Sequence, residues 1–100
     1  MIEYIVEVSV QHQSVDEWVN WMSNDHIPDV MSTGIFLINT FLQKALTKNV
    51  FVITYTCESL KDFRKYQMNY AKEKQLKHTK RFGEVTSAQR KLRIVTSIDI

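Results

Sequence analysis

Ile35-Phe36-Leu37-Ile38-Asn39-Thr40-Phe41-Leu42-Gln43-Lys44-Ala45-Leu46, Thr47-Lys48-Asn49 and Val50-Phe51-Val52-Ile53-Thr54-Tyr55-Thr56-Cys57 form the stretch that decides the fold. It reads as two strands, Ile35 to Leu46 and Val50 to Cys57, joined in a hairpin at Thr47-Lys48-Asn49. Asn49 is the residue of that turn that best tolerates positive φ. Side chains alternate between the two faces of a strand. Phe36, Ile38 and Leu42 therefore oppose Ile35, Leu37 and Phe41, and Phe51 and Ile53 oppose Val50 and Val52. Both faces of this hairpin are apolar, so both need a cover.

Outward from the hairpin, residues 2 to 10 alternate, with Ile2, Tyr4, Val6, Val8 and Val10 on one face and Glu3, Glu7 and Ser9 on the other, Ile5 among them. That is a period-two strand. Ser14 with Glu17 three residues on is the pattern of a capping box. Val15, Trp18, Val19 and Met22 then mark a helical stripe with Trp21 at its shoulder. Pro28 disfavours the helical region at Ile27, which predicts a break near His26. A short second turn beginning at Pro28 is expected to end at Gly34 in the left-handed region. Ser59 with Asp62 opens a second helix from Leu60 to about His78 or Arg81, its stripe being Leu60, Phe63, Tyr66 or Gln67, Tyr70 and Ala71, and Gly83 ends it. Val85 to Val95 reads as the last strand, with a tail from Thr96 to Ile100.

The order β-α-β-β-α-β is the split βαβ arrangement. It predicts one α+β, ferredoxin-like domain over residues 1–100, a four-stranded antiparallel sheet with two helices on one face. The uncovered apolar face predicts a homodimer, in which a second copy is the most economical cover.

Composition narrows the function classes. The chain has 100 residues, 44% hydrophobic and 24% charged, with a net charge of +2. This is a folded, non-membrane composition, and no run approaches the roughly 20 apolar residues of a bilayer span. Met1-Ile2-Glu3-Tyr4 lacks the basic start of a secretory signal, so a cytoplasmic location is expected. Two glycines and one proline leave no room for glycine-rich phosphate or dinucleotide loops, and no cofactor is expected. The single cysteine, Cys57, excludes a disulfide framework and reads as a small buried hydrophobe with an inert thiol. His12, His26 and His78 lie in separate elements without ligand spacing, so no metal site is expected.

Trp18-Val19-Asn20-Trp21-Met22 leading into His26-Ile27-Pro28-Asp29-Val30-Met31-Ser32-Thr33-Gly34-Ile35-Phe36 resembles the signature of a small bacterial domain-of-unknown-function family. Tyr55, Glu58-Ser59-Leu60-Lys61-Asp62, Tyr66 and His78-Thr79-Lys80-Arg81-Phe82-Gly83 extend the resemblance over nearly the whole chain. That family is similar to the dimeric α+β barrels, in which two such sheets pack face to face. The resemblance implies a range of roles, among them cofactor-independent monooxygenases, isomerases, haem enzymes and non-catalytic members. It departs in the fourth strand, where Ser87-Ala88-Gln89-Arg90 stands in place of an aromatic-arginine pair.

The resemblance and the tryptophan-methionine stripe together point to a cleft between helices and sheet that binds a small, partly apolar molecule. His26 is the best candidate for chemistry, because an imidazole titrates near neutral pH and can move a proton. Its bland alternative is a cap at the helix end. Trp21, Met22, His26, Tyr66, His78 and Arg81 form the expected ligand set, with His78 and Arg81 as anion contacts and Tyr66 reaching inward. A non-catalytic structural or binding homodimer is the alternative. An RNA-recognition motif shares the topology but needs stacking aromatics where this third strand has valines. The first 30 residues carry acids and no lysine or arginine, whereas residues 61 to 93 are strongly basic. That asymmetry predicts complementary helices lying side by side rather than a nucleic-acid surface.

Overall fold

The computed structural model describes residues 1–96. Strand β1 is Ile2–Val10, β2 is Ile38–Gln43, β3 is Val50–Cys57 and β4 is Thr86–Ile94. They form one antiparallel sheet in the order β2-β3-β1-β4. A 3₁₀ turn, His12–Ser14, leads into the first helix. That helix, α1, runs over 15–31 as α-helical Val15–Trp21, a π turn at Met22–His26 and α-helical Ile27–Met31. The second, α2, runs over 60–82 as Leu60–Tyr66, a π turn at Gln67–Ala71 and Lys72–Phe82. The βαββαβ order and the ferredoxin-like fold are therefore as the alternation and capping patterns imply.

Register settles which residues face the helices. Tyr4 pairs with Tyr55, Val6 with Ile53 and Val8 with Phe51 across β1 and β3. These side chains, with Trp18, Met22, Val30, Phe36, Phe63, Tyr66 and Phe82, form the core between sheet and helices. Ile5, Val52, Thr54, Ile38 and Leu42 occupy the opposite parity and line the open face. On the outer strand Ile38 and Leu42 are 60% and 63% exposed.

Several local expectations are corrected. The first helix does not break at Pro28: His26 and Ile27 both hold right-handed helical dihedrals. Proline lacks an N–H and crowds the carbonyl four residues back. The π turn just ahead of it widens the helix by one residue, the Ile27 N–H bonding the Met22 carbonyl, so the chain stays helical. Ser14 makes no side-chain capping bond, because the 3₁₀ turn already occupies that end. Lys48, not Asn49, takes the positive φ of the hairpin, at 60°. Asn49 is used instead to clamp β1: its amide donates to the Val10 carbonyl at 3.0 Å, and its own carbonyl accepts from the Val10 N–H at 2.9 Å. Strand β2 is shorter at both ends than Ile35 to Leu46.

Other signals hold. The Ser59 hydroxyl accepts from the Asp62 N–H and donates to the Asp62 carboxylate. Gly34 takes a left-handed φ of 76° after α1. The acidic first helix lies against the basic second one, Asp29 pairing with Lys74 at 3.0 Å and Lys77 at 3.4 Å, and Glu17 with Arg81 at 3.9 Å. The expected tail beyond Thr96 lies outside the described residues.

Candidate functional site

The two π turns sit side by side in their consequences. The first carries Met22 at its start and His26 at its end. The second follows Tyr66 and sets the register of Lys74, Gln75 and His78 in the last stretch of α2. Each inserts an extra residue per turn, a device that re-aims side chains and recurs at functional sites. Here both aim polar groups at the sheet. Between them and the strands lies a cavity of about 40 Å³, walled by Tyr4, Val6 and Val8 of β1, Ile53 and Tyr55 of β3, and Ala88 and Arg90 of β4, with the helical residues opposite.

His26 is the centre of this arrangement. Trp21 stacks on its imidazole at 4.9 Å and 27°, and His78 lies 5.8 Å away between ring centroids. Burial pushes the His26 pKa down to about 4, helped by the charge of His78 and opposed by Asp29. The ring is therefore neutral at physiological pH. Its Nδ1 is completely buried and has no hydrogen-bond partner in the protein. A buried polar nitrogen left unpaired costs about 1–3 kcal/mol, so its natural complement is a water or a ligand.

His78 is oriented from behind. The indole N–H of Trp18, a fully buried side chain, donates to His78 Nε2 at 2.9 Å. Accepting there makes Nε2 the bare nitrogen and places the proton of neutral His78 on Nδ1. Burial and the nearby Arg90 charge both lower the His78 pKa. Tyr4, Tyr55 and Tyr66 all have raised pKa values, chiefly because burial disfavours the phenolate, so their hydroxyls remain donors. Lys74 is only 7% exposed and is held by Asp29, whose own pKa is lowered mainly by its hydrogen bond to that ammonium.

Of the six residues expected from sequence, Met22, His26, Tyr66 and His78 line the cavity. Trp21 and Arg81 do not. Trp21 stacks on His26 without lining the cavity, and the Arg81 guanidinium lies 5.8 Å over the Trp21 ring. The alternative role of His26 as a helix-end cap is also removed, because α1 continues through it. Asp25 is exposed, and only Asp29 bears on the imidazole. Sequence reading missed Tyr4, Lys74, Gln75 and Arg90. A polar-tipped Tyr4 on the buried parity of β1 was the available signal; the other three sit on a helix and an edge strand that read as solvent-facing.

Remaining candidates are peripheral. His12 lies in the exposed 3₁₀ turn, and among the described residues no group of three or more His, Cys, Asp or Glu is arranged to hold a metal ion. The Cys57 thiol is buried and donates to the Ser59 carbonyl at 3.4 Å, and burial raises its pKa, the opposite of a nucleophilic thiolate. No described helix is long and apolar enough to cross a membrane.

An antiparallel β2-β3-β1-β4 sheet with two helices on one face and a polar cavity beneath them defines a ferredoxin-like α+β protein. The sequence profile of the domain of unknown function DUF4286 matches residues 1–95, and the chain belongs to that family. No curated protein matches it in sequence. Similar solved structures share the whole fold at low identity. SnoaB, a cofactor-independent oxygenase from Streptomyces nogalater, is 13% identical with a TM-score of 0.76, over 97% of this chain and 94% of that one. A protein assigned to antibiotic biosynthesis monooxygenases from Nitrosomonas europaea is 17% identical with a TM-score of 0.71, over 99% and 100%. A dimeric ferredoxin-like protein from an uncultured marine organism is 13% identical with a TM-score of 0.73, over 100% and 99%. At these identities the likeness establishes the fold.

Proposed function

We propose that this chain is a homodimeric, cytoplasmic small-molecule-binding protein, each subunit holding its ligand in the cavity between helices and sheet, with His26 as the main polar contact. The observation that carries this reading is the buried, unpartnered Nδ1 of His26 in the wall of a cavity rimmed by polar side chains. Met22, Val30 and Ile53 supply apolar wall, and the tyrosine hydroxyls, Gln75 and His78 supply orientation, the usual division of labour in a binding site. The cavity is far smaller than the ~300 Å³ at which drug-sized sites begin, so the fitting ligand is small.

Dimerisation is supported by the open face. Exposed Ile38 and Leu42 continue the apolar parity of Val52 and Ile5, beside the Glu7–Lys44 and Glu3–Arg93 pairs, both at 2.6 Å. A similar structure is named as a dimeric ferredoxin-like protein. The same face gives an RNA-stacking reading no support, because Phe51 and Tyr55 of β3 face the helices.

A second reading, proton transfer on the bound molecule, draws on the position of the His26 imidazole in the cavity wall, although a pKa near 4 makes that ring a weak base at pH 7. The likeness to SnoaB, a cofactor-independent oxygenase, agrees with chemistry done without a bound cofactor. A thermal-shift screen of small carboxylates and their neutral amide counterparts tests the binding reading. Stabilisation of the wild type that His26→Ala abolishes is the expected result. Equal shifts in both proteins place the ligand elsewhere and overturn it.

A further inference from the structure

We propose that the cavity is a site for a small carboxylate of about three or four heavy atoms, anchored by the Arg90 guanidinium and by the donors that surround His26. This rests on the ligand-binding reading above and adds to it the ligand's charge and size.

Three independent observations converge. The first is the donor balance of the wall. Arg90, Lys74, the Gln75 amide and the hydroxyls of Tyr4, Tyr55 and Tyr66 all offer hydrogen-bond donors, and His78 carries its proton on Nδ1. Among the described residues no aspartate or glutamate lines the cavity. A wall of donors with no anion of its own is complementary to a ligand rich in acceptors, and a carboxylate is the compact group with several acceptor sites.

The second is the pairing of the cations. Two cations stand in the cavity wall, and Lys74 is already paired with Asp29 at 3.0 Å. Arg90 makes no ion pair among the described residues, although its charge bears on Tyr4, Tyr66 and His78. A planar guanidinium is the side chain suited to take a carboxylate through two parallel hydrogen bonds.

The third is size. A cavity of about 40 Å³ holds about three water-sized units, which matches acetate and excludes polycyclic molecules without repacking. Val6, Val8 and Ala88 provide an apolar wall against which a short alkyl group rests.

The test is an NMR titration of the full chain, at constant ionic strength, with acetate and with its neutral isostere acetamide. Ring resonances of His26 and His78 report occupancy. In the wild type, acetate is expected to bind at least tenfold more tightly than acetamide. Arg90→Gln is expected to erase that preference, and Arg90→Lys, which keeps the charge but loses the fork, to retain part of it. Arg90 is exposed on an edge strand, so both variants are expected to fold. Equal binding of acetate and acetamide at His26 overturns the anion site and leaves the ligand-binding reading standing. Acetate binding unchanged in Arg90→Gln overturns the anchor, and so the proposal. Absence of any acetate response at His26 and His78 overturns it as well, while the screen above decides the broader reading separately.

Discussion

His26 ought to make the protein sensitive to mild acid. An unfolded histidine titrates near 6.5, whereas the folded ring is pushed down to about 4 by burial. Between those values the unfolded chain binds a proton that the folded chain refuses, so stability is complete above about pH 6.5 and falls as pH drops toward 4. Linkage over that interval amounts to about 3 kcal/mol by pH 4. His78, whose pKa is also lowered by burial, adds to the loss in the same direction. Asp29 acts with the same sign but at lower pH, since its carboxyl is held below the usual value by Lys74. Total stability of a domain is only about 5–15 kcal/mol, so the histidine effect is large. Urea melts at pH 7, 6, 5 and 4 on the wild type and His26→Gln measure it. Relative to the variant, the wild type is expected to lose about 3 kcal/mol, which moves a urea midpoint by about 1–3 M. Parallel stability curves for the two proteins would refute the neutral, buried histidine on which the site rests.

Other expectations concern separate parts of the fold. Analytical ultracentrifugation at micromolar concentration should give twice the 11.8 kDa chain mass, and Val52→Asp or Leu42→Asp on the open face should shift it to monomer; a wild-type monomer removes the dimer. Trp18→Phe deletes the indole N–H that His78 Nε2 accepts and leaves a gap in the core. It should cost about 1–3 kcal/mol in urea unfolding and redistribute the His78 tautomers in ring ¹⁵N shifts; unchanged shifts would mean that the indole does not set the proton. Asp29→Asn strands the buried Lys74 ammonium with only Glu73 at 3.8 Å, and should destabilise by about 1–3 kcal/mol, more than Glu17→Gln at the looser Arg81 pair.

The element order was legible because each element announces itself locally. The alternation of residues 2–10, the Ser59–Asp62 cap and Gly34 are short-range signals, and each appears where its chemistry requires. What stayed hidden depends on tertiary context. The helix through Pro28 survives because a π turn precedes it, and π turns leave no periodic mark in a single sequence. The positive φ of the hairpin falls on Lys48 rather than Asn49, whose amide is engaged by Val10 of β1, 39 residues earlier. The open parity of the sheet was not readable, since Val50 and Val52 are as apolar as Phe51 and Ile53. Register against β1 decides it.

For the site, His26, Met22, Tyr66 and His78 stood out by type and by helical spacing. Lys74 and Arg90 did not, because a lysine among lysines and an arginine on an edge strand look like solvated charge. Only the packing of α2 over β1 and β4 brings them to the cavity. Trp21 and Arg81 share helix faces with lining residues yet lie off the cavity, Trp21 stacked on the His26 ring and Arg81 over Trp21.

If Nδ1 of His26 finds its partner in a bound molecule, the ¹⁵N shift of that atom measures it directly. In the protein saturated with the small carboxylate or amide that stabilises it most, the Nδ1 resonance should move away from its free position as a hydrogen bond forms. The same compound should leave His12, in its exposed turn, unchanged. A compound that raises the melting temperature while His26 Nδ1 stays where it was in the free protein would contradict the account.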